Sequence, residues 1–121
     1  MKTKLEIDED LKEYLVEEID RTGQVFSEEF CTKYDVDSFS WQWRFKFEND
    51  HGASVIKNYG SYGFEEDKFE LAVLWWNGDR HCLDYDTDIA DGVIGWLTNQ
   101  EVMDLLRKIK DLKKEIKKDE N

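Results

Sequence analysis

The stretch from Phe69 to Gly78, FELAVLWWNG, constrains the fold more than any other part of the chain. It holds bulky apolar and aromatic side chains and ends in Asn77-Gly78, a pair that tolerates the positive φ angles of a type I′ hairpin turn. Successive side chains of a strand point to opposite faces. The odd positions from 69 to 75 are all apolar, and so are the even positions from Ala72 to Trp76. The pattern predicts a central strand that is covered on both faces.

The composition limits the class of protein. Its 121 residues fit a single domain over 1–121 with room for a hydrophobic core. Hydrophobic residues make up 40% and aromatic residues 14%, which excludes a disordered acidic tail in spite of a net charge of -12. Duplex nucleic acid is not an expected partner, because that binding relies on Lys and Arg side chains that displace counterions from phosphates. A local basic site remains compatible with this charge.

The cysteines and the hydropathy bear on location. Cys31 and Cys82 lie in apolar-flanked segments without CxxC spacing, so buried reduced thiols are the first interpretation, with a disulfide or a metal site as alternatives. The sequence shows no run of 18 apolar residues, no signal peptide and no lipidation motif. We therefore expect a cytoplasmic protein that does not enter a membrane.

The first predicted helix lies near the N-terminus. Apolar residues recur with helical spacing from Asp8 to Ile19, and Thr22-Gly23 supplies a stop. This indicates an amphipathic helix, with a solvated acidic face, inside an N-terminal helical segment over 1–37.

A second, long helix is predicted over 98–118. Thr98-Asn99-Gln100-Glu101 is a complete capping box, and an apolar stripe follows as far as Ile116. Leu112 and Ile116 would overhang a small sheet, which favours a homo-oligomer formed through this helix; fraying of the helix end is the alternative.

Four strands are predicted over 40–85. Strict alternation from Trp41 to Glu48 indicates a strand with one wet face, and the Asn49–Gly52 turn leads into a second strand at Ala53–Asn58. The central strand follows, and Arg80–Tyr85 returns as the fourth. The predicted fold is α+β: a four-stranded antiparallel meander sheet with an N-terminal amphipathic helix and a long C-terminal helix.

The sequence gives little support for catalysis or for metal binding. The Asp86–Gly92 loop holds three carboxylates, but their spacing misses the EF-hand pattern and no glutamate closes the loop, so we predict neither a metal nor a cofactor. His51 and His81 are the only near-neutral bases, and neither lies near a nucleophile motif. Strand alternation also separates His81 from Cys82. We therefore expect a protein that is not an enzyme.

A binding site is the better-supported class of site. Aromatic faces stack on purine rings, and a few cations in one pocket neutralise the phosphates of a small nucleotide. Tyr59, Tyr62 and the two glycines between and after them indicate an irregular loop where backbone approaches a ligand closely. The other groups available are Lys57, His81, Arg107 and Lys108. The alternative for each is structural, since tyrosines pack at sheet edges and lysines decorate helices.

Several short segments between about residues 41 and 110 resemble a family of small bacteriophage-encoded proteins. These segments are Ala53–Lys57, Ser61–Gly63, Glu70–Leu74, Tyr85–Thr87 and Val93–Thr98. The chain is similar to the first Thoeris anti-defence family, viral sponges that sequester cyclic ADP-ribose-type signals. The resemblance implies a non-catalytic binder of a small cyclic nucleotide, built as dimers or higher assemblies with pockets near the subunit contacts.

The resemblance also implies a set of ligand-binding residues. The family uses an aromatic residue in the hairpin, an asparagine in the loop before the Val-Ile-Gly segment, and an arginine one turn after an aspartate on the last helix. The nearest counterparts here are His81, Asp91, and the pair Asp104 and Lys108, with Lys57 where a basic residue is expected. Asp91 departs from the pattern because a carboxylate repels a diphosphate unless it binds ribose hydroxyls. Lys108 departs because it lacks the bidentate fork of arginine.

Two functions are therefore expected from the sequence. The first is sequestration of a cyclic nucleotide, a cyclic ADP-ribose isomer or a related cyclic oligonucleotide, in the cytoplasm of the host bacterium. The alternative is an acidic phage inhibitor of a host protein, such as an anti-CRISPR-like nucleic-acid mimic, which the net charge favours. Removing Lys57 and Lys108 is expected to abolish the first activity and to spare the second.

Overall fold

A computed structural model describes residues 2–21, 40–58, 60–85, 87–89 and 92–113. A 3₁₀ helix, Glu9–Tyr14, leads directly into the first strand. The strands are β1 (Leu15–Asp20), β2 (Ser40–Lys46), β3 (His51–Asn58), β4 (Phe69–Asn77), β5 (Arg80–Leu83) and β6 (Val93–Leu97). A second 3₁₀ helix, Phe64–Glu66, lies between β3 and β4, and the α-helix α1 spans Asn99–Lys110.

The described strands form one antiparallel sheet. The order β1-β2-β3-β4-β5 is a meander, as predicted, with residues such as Val55 and Leu71 directly opposite each other. β5 and β6 both pair with the same edge of β4. β6 pairs with Phe69–Ala72 and β5 with Leu74–Asn77, so these two short strands lie end to end. The α+β class and the antiparallel sheet are confirmed. The prediction of four strands is wrong, because β1 and β6 were not recognised as strands.

The hydrophobic core lies on the face of the sheet that α1 covers. Alternate residues of β2 are buried there, as the period-two pattern predicted. The most deeply buried side chains of this core include Leu11, Phe45, Val55, Leu71, Val102, Met103, Leu106 and Ile109. The apolar stripe of α1 therefore packs against the sheet of its own chain.

β4 is buried on both faces, which confirms its prediction as the central strand. Ala72, Leu74 and Trp76 are buried on the face opposite α1. The indole of Trp76 lies across Gly52 and donates to the Phe45 carbonyl at 3.0 Å. A Cβ at Gly52 would lie 2.0 Å from that carbonyl oxygen, so only glycine fits there.

The predicted amphipathic helix from Asp8 to Ile19 is wrong beyond its first half. The chain is a 3₁₀ helix only to Tyr14 and then becomes the edge strand β1. The indole N–H groups of β2 explain the preference for a strand, because Trp43 donates to Glu18 at 3.1 Å and Trp41 to Asp20 at 3.0 Å. Pairing with β2 gives β1 these two indole donors together with a ladder of backbone hydrogen bonds, and this outweighs local helix propensity. The stop predicted at Thr22-Gly23 lies outside the described residues.

The C-terminal helix begins as predicted and ends early. Thr98 and Glu101 form the reciprocal capping box at 2.9 and 3.1 Å. The helix ends at Lys110, eight residues before the predicted end at residue 118, and Leu112 packs against the core. Ile116 lies outside the part of the chain that the structure describes.

The hairpin turns also differ in detail from the predictions. β3 begins at His51, so the preceding turn is shorter than the predicted Asn49–Gly52 segment. In the β4–β5 hairpin Asn77 pairs with Arg80, and the two loop residues are Gly78 and Asp79. Gly78 alone of these two has a positive φ, of 65°, which is the pattern of a type II′ turn rather than the predicted type I′.

Candidate functional site

Two aromatic side chains lie stacked on the surface where the β3–β4 loop meets β6. The ring centroids of Tyr62 and Trp96 are 5.4 Å apart and the ring planes differ by 21°. The two residues are 54% and 55% exposed, so a large part of the stacked pair faces solvent. Trp and Tyr normally bury much of their area, and an exposed stack provides a flat surface for another ring.

A bulge in β6 places Trp96 in this position. Leu97 lies opposite Phe69 and Ile94 opposite Leu71, so three steps along β6 match two along β4. Trp96 takes up this irregularity with a φ of +55°, in the left-handed region. A bulky residue there costs about 1–3 kcal/mol, whereas an aromatic stack contributes only about 0.5–1.5 kcal/mol. Strain of this kind is concentrated at functional sites.

Two glycines let the loop lie against the bulge. A Cβ at Gly95 would lie 2.3 Å from the Tyr62 Cβ, and one at Gly63 would lie 2.8 Å from the Trp96 Cα. The Trp96 N–H donates to the Tyr62 carbonyl at 3.2 Å. Gly63 has a φ of +95°, which glycine adopts without steric cost. The two glycines therefore allow the backbone of the loop and of β6 to pack closely where they carry the aromatic pair.

A surface pocket of about 340 Å³ lies beside the aromatic pair, lined by residues 60–66 and Trp96. Its lining includes two exposed acidic residues, Glu65 and Glu66. Lys2 approaches from the N-terminal segment, where its Nζ donates to the carbonyls of Phe64 at 2.6 Å and of Glu65 at 3.0 Å. The pocket can therefore offer an aromatic face, carboxylate acceptors and loop backbone to a small ligand.

Lys57, a predicted ligand-binding residue, is fully buried and contacts the end of the pocket loop, residues 60–67. Its Nζ donates to the Thr3 carbonyl at 2.7 Å and to Asp67 twice, at 3.0 Å to the carbonyl and 2.6 Å to Oδ1. It also lies 3.9 Å from the centroid of the Phe69 ring. An ammonium group has three donors, and these three acceptors use all of them. The structure therefore gives Lys57 a supporting position rather than a place in the pocket.

Asp67 is the charged partner of this buried lysine. It also accepts from the backbone N–H and the hydroxyl of Thr3, at 2.8 and 2.9 Å. Partial burial acts to raise the pKa of Asp67, but the hydrogen bonds from Lys57 and Thr3 outweigh it and lower that pKa. Burial lowers the pKa of Lys57, against the opposing effect of Asp67. The pair ties the N-terminal segment to the end of the pocket loop.

Three predicted residues lie together on α1 and away from the pocket lining. Arg107 donates to Asp8 at 2.6 Å and to Asp10 at 2.9 and 3.2 Å. The hydrogen bonds that Arg107 donates to Asp10 and Asp8 raise the pKa of Arg107, and they lower the pKa of Asp10. Asp104 accepts from Gln100 at 2.9 Å, and Lys108 is exposed. The guanidinium of Arg107 thus fastens α1 to the N-terminal segment.

The remaining predicted residues do not meet at one place in the described structure. His81 is exposed on β5, with its ring centroid 4.7 Å from that of Trp76. Tyr59 and Asp91 lie outside the described residues. Of the predicted ligand-binding residues that the structure describes, Tyr62 is the one that lines the pocket.

Comparison of the chain with protein-family models, with curated proteins and with solved structures found no match. Among the residues that the structure describes, no cluster of three or more His, Cys, Asp or Glu side chains could hold a metal ion. The calcium-loop alternative is not tested, because Asp86 and Asp91 lie outside those residues. In the same part of the chain, no helix is both long and apolar enough to cross a membrane.

The histidines and the described cysteine lie apart. His51 is buried with its Nδ1 3.3 Å from Oδ2 of Asp84, which is also buried. Cys82 is an exposed free thiol, so the prediction of a buried thiol is wrong for it. It lies opposite Trp75, whereas His81 lies opposite Trp76, and the two residues therefore face opposite sides of the sheet as alternation predicted.

Sequence reasoning missed Trp96 and the His51–Asp84 pair. The signal for Trp96 was present, since a glycine directly before an aromatic residue in a short apolar run is typical of a bulge. The sequence holds no comparable signal for His51 and Asp84, which are 33 positions apart and meet only through the sheet register.

Proposed function

We propose that this protein is a non-catalytic binder that sequesters a small nucleotide, with a planar ring of the ligand stacked on the Tyr62–Trp96 pair. The observation that carries the proposal is the exposed, stacked Trp96 held at a positive φ beside a pocket. The specific form implied by the family resemblance is a phage anti-defence protein that captures a cyclic ADP-ribose-type signal in the host cytoplasm. A homo-oligomer with pockets near the subunit contacts is part of the same proposal.

The chemistry of the pocket supports reversible binding. Stacking on an aromatic side chain contributes about 1–3 kcal/mol per base and requires no covalent step. Backbone strain at Trp96 lowers stability, and a preformed ring surface reduces the ordering cost of binding. Lys57 and Arg107, which the sequence suggested as phosphate ligands, are engaged within the chain, so any phosphate of the ligand needs other cations.

Native mass spectrometry with cyclic ADP-ribose isomers and cyclic di- and trinucleotides tests this proposal. We expect a stoichiometric mass shift with at least one compound, no turnover product, and loss of binding in Trp96→Asn, because asparagine tolerates a positive φ but has no ring. Tyr85→Asn is the matched control, since Tyr85 is equally exposed but does not line the pocket. A folded protein that binds none of these nucleotides would overturn the proposal.

An acidic inhibitor of a host protein is the second candidate. Several cations are paired with carboxylates inside the chain, Lys4 with Asp20, Arg44 with Glu17 and Arg107 with Asp8. The net charge of -12 remains after this pairing, and such a surface attracts a basic partner. Capture of one basic host protein that is weakened by salt and unaffected by Trp96→Asn favours this candidate.

A further inference from the structure

The pocket beside Tyr62 and Trp96 carries the wrong charge for a phosphate. The described residues that line it include two acidic ones, Glu65 and Glu66, and no Lys, Arg or His. A phosphate group placed among these carboxylates is repelled, and the repulsion grows as the site loses water. The part of a ligand that enters the pocket must therefore be uncharged or cationic.

The cations around the pocket loop do not compensate for these carboxylates. The Lys57 ammonium is buried, and all three of its donors are used within the chain. The Lys2 ammonium donates to the backbone carbonyls of Phe64 and Glu65 and lies 4.6 Å from the Phe64 ring centroid, so it is engaged within the chain. Lys68 follows the loop and is not among the lining residues.

We infer that the pocket receives the nucleoside part of the ligand, with its base on the Tyr62–Trp96 pair and its ribose hydroxyls donating to Glu65 and Glu66. This inference rests on the proposed function and specifies which part of the nucleotide the site recognises. Carboxylates accept two hydroxyl donors in a geometry that suits a vicinal diol, and hydrogen bonds to charged groups are among the stronger ones. The phosphates of the ligand lie outside this pocket.

Titration calorimetry with paired compounds tests the inference. The probes are adenosine, guanosine, cytidine and uridine, each compared with its 5′-monophosphate and its 2′,3′-dideoxy form. We expect at least one nucleoside to bind within about threefold of its monophosphate, with little change between about 50 mM and about 500 mM salt. The matching dideoxy form is expected to bind about a hundredfold more weakly, because it lacks both hydroxyls that donate to the carboxylates.

A monophosphate that binds at least about tenfold tighter than its nucleoside, with affinity falling as salt rises, would overturn the inference and leave the proposed function standing. If nucleosides, monophosphates and the cyclic nucleotides all fail to bind, the proposed function falls together with it. The two failures are therefore distinguishable in one set of titrations.

A pair of variants tests the roles of the two carboxylates. Glu65→Gln/Glu66→Gln removes both charges at exposed positions, so we expect folding to be retained and nucleoside affinity to fall about tenfold. The same change should weaken the monophosphate less, because it also removes repulsion. Glu48→Gln, another exposed position, is the matched control. Unchanged nucleoside affinity in the double variant would contradict the assigned role of Glu65 and Glu66.

Discussion

At the scale of single residues, the ammonium group of Lys57 stabilises the fold. Methionine at this position keeps an unbranched apolar side chain but removes the ammonium group, with its three donors and its contact with the Phe69 ring. The carbonyls of Thr3 and Asp67 and the Asp67 carboxylate then lose a charged partner. We expect Lys57→Met to lower the free energy of unfolding by about 1–3 kcal/mol in urea denaturation.

Lys46→Met is the control for this prediction, because Lys46 also donates to a carbonyl, that of Gly78, and lies over an aromatic ring, but it is more exposed. It should cost less than about 0.5 kcal/mol. Equal costs for the two lysines would show that the buried network contributes nothing beyond a surface contact. The network is also expected to order the pocket loop, so amide exchange over residues 60–67 should speed up in Lys57→Met alone.

At the scale of elements, the end of α1 is set by a side chain from another part of the chain. The amide nitrogen of Asn49, in the β2–β3 turn, donates to the carbonyls of Ile109, Lys110 and Leu112 at 2.8–3.1 Å. The last carbonyls of a helix lack donors from within the helix, and the Asn49 amide group acts as their donor. Asn49→Asp removes these donors and places a carboxylate at the negative end of the helix dipole.

We expect Asn49→Asp to cost about 1–3 kcal/mol and to speed amide exchange in the last turn of α1. The Oδ1 atom that accepts from the His51 N–H at 3.0 Å is preserved, so the turn itself should remain. Gln100→Ala is a control at the opposite, exposed end of the same helix. If exchange in the last turn is unchanged by Asn49→Asp, the helix ends for another reason.

At the scale of the whole molecule, acid stability depends on a few carboxylates with cationic partners. The pKa values of Asp67 and Asp10 are lowered from 3.8 in the folded chain, so the unfolded chain binds more protons in this range. Their contribution is complete above that value and is lost as the pH falls through the lower folded pKa. Thermal unfolding should therefore show a falling midpoint below about pH 4.

Asp67→Asn separates this effect from general titration of the acidic surface. Its midpoint is expected to be lower than that of the native chain at neutral pH and to fall less steeply in acid, because one linked carboxyl is gone. Asp88→Asn, at an exposed position, should leave the slope unchanged. An acid limb of equal slope in all three proteins would show that Asp67 is not linked to folding.

Prediction from sequence succeeded where local pattern and tertiary environment agree. The alternation of β2, the apolar run of β4 and the capping box at Thr98 each depend on residues close in sequence, and each appears in the structure. For the candidate site, Tyr62 was found from its glycine-rich loop. Trp96 was missed: the glycine before it indicates a bulge, but only the pairing of β6 with β4 shows which residue takes it up.

The sequence by itself determined the α+β class, the meander of β2 to β5 and the start of α1, because hydrophobic period and capping are local properties. Only the tertiary structure decided that Leu15–Asp20 is a strand, since β2 offers it a ladder and two indole donors. Tertiary contacts likewise placed the end of α1 beside the Asn49 amide and buried the Lys57 ammonium against Asp67. These outcomes depend on groups that lie far apart in sequence and meet only in the folded chain.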